Sequence, residues 1–437
     1  MLKKCSCVLV CLLTFLVMSG SSVYAADPQG YMPPGSTFTP KDTSDLFGGS
    51  EKVVHPFLSI AGMYTDNFYN TDDNEKYEYG AIVSPGIWFA LPGTVQPLLD
   101  VTTDTSASGG LSYSRRINKS KRRFQGYLSY RADFEEYTQR SSENTDNHDI
   151  EGLFQVNMRS GLSIEVMNKY VRNHDARSDS LSSKLDKYAT NFANLVINYE
   201  ISPKFTVRAD YHNYMVDYTS NRNAPLDRND NSWSAYVFMK VAPKTSVFVQ
   251  YEYVDVDYDK DMFSDSSENR GYVGIDWKMT AKSWGRVKAG YGHKSMDKDG
   301  YDDVSPFLFE AQLNHEITQK TILTMSANIG TRETNIYTTD SLLEKGLSVT
   351  VTDDFTRKLS GFVSLHYVRD DYDGDLTWLG KVDERSDDIY SASLGVDFVP
   401  YKWLSTSLSY VYTQRDSNFS SFDYTNNSVY LTVQVFL

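Results

Sequence analysis

From Val53 to the last residue, Leu437, the chain alternates between apolar or ring-bearing side chains and polar ones, in stretches separated by turn residues. A period of two puts successive side chains on opposite faces of an extended strand, so each stretch is a strand with one greasy and one wet face. In 404–412, Leu404, Leu408, Tyr410 and Tyr412 share one face, and Ser405, Ser407 and Ser409 share the other. Likewise Phe205, Val207, Ala209 and Tyr211 oppose Thr206, Arg208, Asp210 and His212, while Leu128, Tyr130, Ala132 and Phe134 oppose Ser129, Arg131, Asp133 and Glu135. A soluble β-sandwich also alternates, so the pattern needs a second discriminator.

Length and composition supply part of it. The 437 residues include 32 Tyr, 22 Phe and 6 Trp, yet hydrophobic residues make only 40 %, which is too polar for a helical membrane protein and too aromatic for a disordered chain. The start reads as a secretory signal over 1–25: Lys3 and Lys4, an apolar run from Val8 to Met18, and the small-residue end Val23-Tyr24-Ala25. Beyond it no run of about 18 apolar residues occurs, which excludes a membrane-spanning helix there and leaves the closed β-barrel as the one structure able to cross a bilayer. The three cysteines, Cys5, Cys7 and Cys11, all fall in the signal. An exported chain without cysteine excludes zinc ribbons, catalytic thiols and disulfide scaffolds. Loss of Lys3 and Lys4 leaves 41 basic residues against 57 acidic, a net charge of −16, which argues against nucleic acid as a partner. Residues 26–52, with Pro28, Pro33, Pro34 and Pro40 and no periodicity, read as a flexible periplasmic linker, and 53–437 as the barrel.

The spacing predicts eighteen strands, at 54–65, 77–91, 124–137, 148–158, 162–174, 188–200, 205–219, 232–242, 245–258, 270–280, 284–295, 304–316, 320–334, 342–353, 355–370, 386–399, 401–416 and 424–437. Tight turns such as Arg159-Ser160-Gly161 and Pro243-Lys244 take turns with longer polar loops, 371–385 among them. That is the pattern of an all-β, transmembrane, antiparallel up-and-down barrel with short periplasmic turns, long acidic extracellular loops and both termini in the periplasm. Tyrosines at strand–loop junctions (Tyr64, Tyr79, Tyr137, Tyr170, Tyr188, Tyr218, Tyr258, Tyr272, Tyr390, Tyr412 and Tyr424) are expected to form an interfacial girdle. The connection 92–123 is longer than the others on its side. It reads either as a periplasmic loop or as two further strands, 95–105 and 110–117, which would make twenty.

The expected lumen face carries Arg131, Asp133, Glu135, Glu165, Lys169, Arg208, Asp210, Glu252, Asp276, Lys278, Arg286, Lys288, Glu310 and Asp397. Charges of both signs suit an aqueous interior, either as groups that tune selectivity or as solvated, mutually paired wall charges. The one strong basic run, Arg115, Arg116, Lys119, Lys121, Arg122 and Arg123, falls on the periplasmic side, where it suits an anionic polymer or an export partner, or is an exposed basic turn of no special role. Acidic spacings at Asp255/257/259/261, Asp297/299/302/303 and Asp371/373/375 lack the closing Glu of a twelve-residue calcium loop. The seven histidines are scattered singly, without metal-ligand spacing, and no Gly-rich phosphate loop lies between a strand and a helix. No cofactor, no metal and no catalytic set is indicated.

In the last strand Val429, Leu431, Val433, Val435 and Leu437 hold one face to the terminus, and the strand resembles those read by the outer-membrane assembly machinery, with Phe436 penultimate instead of last. In the first hairpin, Gly62-Met63-Tyr64-Thr65-Asp66-Asn67-Phe68-Tyr69 followed by Ser84-Pro85-Gly86-Ile87 resembles the opening of the putative β-barrel porin 2 family of bacterial outer-membrane proteins. That resemblance implies an outer-membrane channel in a Gram-negative-type bacterium, embedded in lipid and lipopolysaccharide. It also implies association with exopolysaccharide or capsule systems and hence a conduit for polysaccharide export. A general diffusion porin for small solutes and a plugged surface-display or adhesion barrel are the alternatives.

Overall fold

The structure, a computed structural model, describes residues 53–91, 103–114, 122–175, 185–277, 282–336, 338–339 and 341–437. The expected signal and linker lie outside them. Among the described residues eighteen strands form one sheet. The first nine are β1 (Val54–Thr65), β2 (Glu78–Leu91), β3 (Phe124–Tyr137), β4 (Thr145–Asn157), β5 (Leu162–His174), β6 (Lys187–Glu200), β7 (Phe205–Tyr218), β8 (Arg228–Ala242) and β9 (Thr245–Tyr258). The others are β10 (Ser266–Trp277), β11 (Ser283–Met296), β12 (Phe307–Glu316), β13 (Thr321–Arg332), β14 (Ser341–Asp353), β15 (Leu359–Trp378), β16 (Lys381–Tyr401), β17 (Leu404–Ser417) and β18 (Tyr424–Phe436). Each strand pairs antiparallel with its sequence neighbour, and β1 pairs with both β2 and β18, as in Ala61↔Ile82 and Ala61↔Thr432. The sheet therefore closes on itself and no strand edge is left unpaired.

Alternation decides which face each residue takes. Leu128, Val249, Leu408 and Leu431 stand about half exposed on the outer wall, together with many other large apolar side chains. A surface this apolar matches the lipid-facing band of a membrane barrel. Inward, the same strands bury polar groups such as Ser59, Gln125, Glu151, Arg208 and Ser405. Short connections cluster at one end with both chain ends of the barrel, where the Leu437 N–H donates to the Pro56 carbonyl oxygen. By the usual arrangement of such barrels this is the periplasmic end.

Three expectations change. The segment read as a long loop over 371–385 is mostly strand: β15 has 20 residues and β16 has 21, joined by Leu379-Gly380, whose φ of 49° and 85° suits a two-residue hairpin turn. A bulge between Asp371 and Asp375 admits the extra residues. On the outer wall of this extension Asp371 pairs with Lys345 (2.6 Å) and Arg369 (2.9 Å), and Arg369 with Asp388 (3.2 Å), so these acids are already matched by cations. Second, several girdle tyrosines turn inward, because a shift of one residue reverses the face. The Tyr137 hydroxyl donates to Glu135, that of Tyr218 to Asp175 and that of Tyr258 to Glu333, while Tyr272 lies beneath Lys288 and Tyr424 beneath Arg415. Outer-wall tyrosines instead bond polar neighbours on the next strand, as in Tyr211→Asn231, Tyr251→Asn269 and Tyr410→Asn427. Third, the connection after β2 adds no strands to the wall. The twenty-strand alternative does not hold, and residues 103–114 lie inside the barrel.

Candidate functional site

On a strand, residues i and i+2 stand side by side on one face, so an Arg-x-Asp sequence folds directly into an ion pair. Arg131 meets Asp133 at 3.1 Å and Arg208 meets Asp210 at 2.6 Å in this way. Pairs across strands continue the pattern: Lys169 with Glu151 (3.4 Å) and Asp149 (3.7 Å), Arg286 with Asp276 (3.1 Å), Arg270 with Glu252 (3.6 Å), and Lys288 with Glu310 (3.1 Å). Glu135 accepts from the Tyr137 hydroxyl and the Asn147 amide, each at 2.7 Å. Glu165 is buried on the same inner face, and Asp397 shares that face on β16. Lys278 lies outside the described residues.

Sequence reasoning passed over further members of this wall. Arg228–Asp230 (3.0 Å) and Arg385–Asp387 (2.5 Å) have the same i, i+2 spacing, Glu268–Arg270 (2.6 Å) has it in reverse order, and Lys294–Glu333 (2.7 Å) joins β11 to the connection after β13. The Arg-x-Asp spacing itself was the signal that could have found the first two. Tyrosines stand among these charges, with Tyr236 beneath Arg208 and Tyr272 beneath Lys288.

Residues 103–114 cross this interior as a strap. It is folded by an Asx turn, in which Asp104 Oδ1 accepts from the Ser106 N–H and hydroxyl at 2.8 Å each, and by a bridge between Thr103 and Leu111. Gly109 and Gly110 take φ of 80° and 81°, and a Cβ on Gly110 would come within 2.2 Å of the Tyr214 ring, so the strap seats on that ring only with glycine there. Leu111 packs on the apolar group Met167, Phe192, Tyr214 and Val216.

The wall holds the strap through polar contacts from several directions. The Gly109 N–H donates to Asp230 Oδ2 (2.9 Å), the Ser108 hydroxyl to Glu333 Oε1 (2.6 Å), and the Ser114 N–H and hydroxyl to Glu310 Oε2 (3.2 and 2.9 Å). Tyr113 donates to Asn328 Oδ1 (3.2 Å), and Ala107 bridges Arg332. Beyond β5, Asp175 accepts from the Thr105 and Tyr218 hydroxyls, and burial lifts its carboxyl to about 7. A cavity of about 80 Å³ on one side of the strap is lined by Tyr236, Glu252, Arg270 and Tyr272, and one of about 100 Å³ on the other by Arg228, Glu333, Tyr372 and Arg415.

Apolar layers lie toward the two ends. Trp88, Ala90, Tyr127, Leu153 and Phe436 form one near the periplasmic end. Ile336, Leu342, Tyr372, Leu376, Phe419 and Phe422 form the other, near the extracellular mouth. Of the basic run, Arg122 and Arg123 are exposed at the base of β3, and Arg115, Arg116, Lys119 and Lys121 lie outside the described residues. Among the described residues no group of three or more His, Cys, Asp or Glu is arranged to hold a metal ion.

Comparison with known proteins agrees with this architecture. No curated protein matches the chain. Among solved structures the chain is similar to OccK3 (OpdO) of Pseudomonas aeruginosa, at 11 % identity over 88 % of this chain and 96 % of that one, TM-score 0.42. It is similar also to a BenF-like porin of Pseudomonas fluorescens Pf-5, at 9 % identity over 89 % and 100 %, TM-score 0.43. For a mutant of the ferric enterobactin receptor PfeA of Pseudomonas aeruginosa the values are 7 % identity over 89 % and 81 %, TM-score 0.43. Likeness this distant carries no functional argument. The family profile described as putative beta-barrel porin 2 matches residues 120–436, nearly the whole wall from β3 to β18. With strand pairing, closure and lumen in agreement, the chain belongs to the putative β-barrel porin 2 family, a porin-like channel of the outer membrane.

Proposed function

We propose that this channel is a conduit for an exopolysaccharide or capsule polymer, narrowed by its internal strap. The observation that carries the reading is the lumen wall. Its charges are compensated in short-range pairs such as Arg208–Asp210 and Lys288–Glu310, with tyrosines between them, which makes a wet corridor with little net field. Such a wall offers many donors and acceptors to a hydroxyl-rich chain without trapping it at one strong charge. The resemblance of the first hairpin to a family associated with exopolysaccharide systems supports the same cargo, and exposed Arg122 and Arg123 at the periplasmic base suit an anionic glycan or an export partner. A second reading, a diffusion porin for small solutes, is favoured by the modest size of the cavities beside the strap.

Current through the reconstituted barrel in a planar bilayer separates the two. A polysaccharide added on the periplasmic side, in anionic and neutral forms, is expected to interrupt the current in proportion to its concentration. A current indifferent to both polymers and reduced only by small solutes would favour the diffusion porin. A barrel that inserts and never conducts would favour surface display.

A further inference from the structure

The strap is attached in a way that lets it leave. Three wall carboxylates that receive it keep a wall cation of their own: Asp230 has Arg228 at 3.0 Å, Glu310 has Lys288 at 3.1 Å, and Glu333 has Lys294 at 2.7 Å. The fourth, Asp175, accepts from the Thr105 hydroxyl and keeps that of Tyr218. To the first three the strap gives only neutral donors, the Gly109 and Ser114 N–H groups and the Ser108 and Ser114 hydroxyls. Its one acidic side chain, Asp104, stands 3.8 Å from Arg332, which keeps Glu344 at 2.7 Å. Arg228 and Lys288 also donate to the strap, to the Ala107 carbonyl oxygen (3.3 Å) and the Ser114 hydroxyl (2.6 Å), and each keeps its own carboxylate. Withdrawal therefore breaks none of the three wall ion pairs, the event that makes losing an interior partner expensive. A fixed structural plug has no need of a wall whose ion pairs are complete without it. β2 ends and β3 begins at the periplasmic end, so the chain that carries the strap is anchored there and its exit lies toward the periplasm.

We propose that residues 103–114 are a displaceable gate occupying a row of carboxylate acceptors, with Glu333 and Glu310 receiving its serine hydroxyls and Asp230 its Gly109 N–H, and that saccharide hydroxyls of the cargo take these acceptors when the gate withdraws. The second half rests on the polysaccharide reading above; the first does not. A serine hydroxyl and a sugar hydroxyl make the same O–H donation to a carboxylate, which is stronger than a bond to a neutral acceptor. The strap thus holds places that a polyol can fill without a change in the wall.

A disulfide lock tests both halves. Ala107 and Arg332 are directly opposed in an antiparallel bridge, where Cα atoms lie roughly 4.5 to 5.5 Å apart, within the range a disulfide spans. The Ala107→Cys/Arg332→Cys chain, which has no other cysteine after Cys11, is reconstituted and its current measured oxidised and then reduced, so each channel is its own control. The expected result is a severalfold larger current on reduction, with dextran, a neutral glucan, blocking the reduced channel and leaving the oxidised one unchanged. Equal currents in both redox states overturn the gate. A redox-dependent current that dextran never blocks overturns the saccharide half alone, and with it weakens the polysaccharide reading. Should the double variant fail to fold, Ala107→Cys alone serves: this site is 1 % exposed in the closed state, and a charged thiol reagent should label it only as channels open. No labelling in conducting channels overturns the gate by that route.

Discussion

Replacing Arg385 with Met is expected to destabilise the folded barrel by about 3 to 5 kcal/mol, because it strips the cation from a carboxylate that stays buried. The Arg385 and Asp387 side chains are 1 % and 2 % exposed and 2.5 Å apart, and the guanidinium also lies over Phe422 at 4.1 Å and Tyr372 at 5.0 Å. The pair sits beneath the apolar layer of the extracellular mouth, on the wall of the cavity of about 100 Å³, with Asp387 itself almost fully buried. The double variant Arg385→Met/Asp387→Leu should recover most of the loss, since it removes both charges and keeps the volume. Equilibrium urea titration in lipid vesicles checks both. A single variant as stable as the parent would mean that water reaches Asp387 and that the mouth is open.

The second large effect is on insertion. Leu431 is 52 % exposed on the outer face of β18, opposite Leu408 on β17 and Gly62 on β1 at the seam that closes the barrel. Leu431→Arg puts a charge into lipid at a cost of about 2 to 4 kcal/mol near the bilayer midplane. Heat-modifiable mobility on a gel should show mostly unfolded chain. Thr432→Arg, one residue on and facing the lumen, should insert normally. Equal insertion of the two would mean that the faces of β18 are reversed.

The wall was legible because a period of two survives wherever one face meets lipid. For β1, β3, β5 and β9 the strand limits agree with the spacing to the residue. The larger errors gather at the extracellular ends: β8 begins at Arg228 instead of 232, β10 at Ser266 instead of 270, and β15 and β16 run on to Trp378 and back from Lys381, while at the periplasmic end β15 starts at Leu359 instead of 355. Above the bilayer a strand no longer needs an apolar outer face, so Arg228-Asn229-Asp230 and Asp371-Tyr372-Asp373 look like loop. Those misread ends hold Arg228, Asp230, Glu268 and Arg385, which is why much of the charged interior was missed while Arg131, Asp133 and Arg208 were found.

The strap was hidden for a different reason. Residues 103–114 are mostly small and polar, and such a stretch reads as a loop or as further strands alike, with nothing to reveal that it enters a lumen. Only the length of the connection marked it as unusual. Its fit depends on Asp230, Glu310 and Glu333, which lie far along the sequence and are assembled only when the sheet closes.

The central claim is that a connection from the periplasmic side narrows an otherwise continuous channel. The most direct test is single-channel conductance of the wild-type barrel beside a variant in which 92–123 is replaced by a short Asn-Gly turn joining β2 to β3, as the two-residue turn of β8 and β9 joins its hairpin. The account predicts a small, interrupted current from the wild type and a larger, steady one from the variant. Indistinguishable currents from two folded barrels would contradict it.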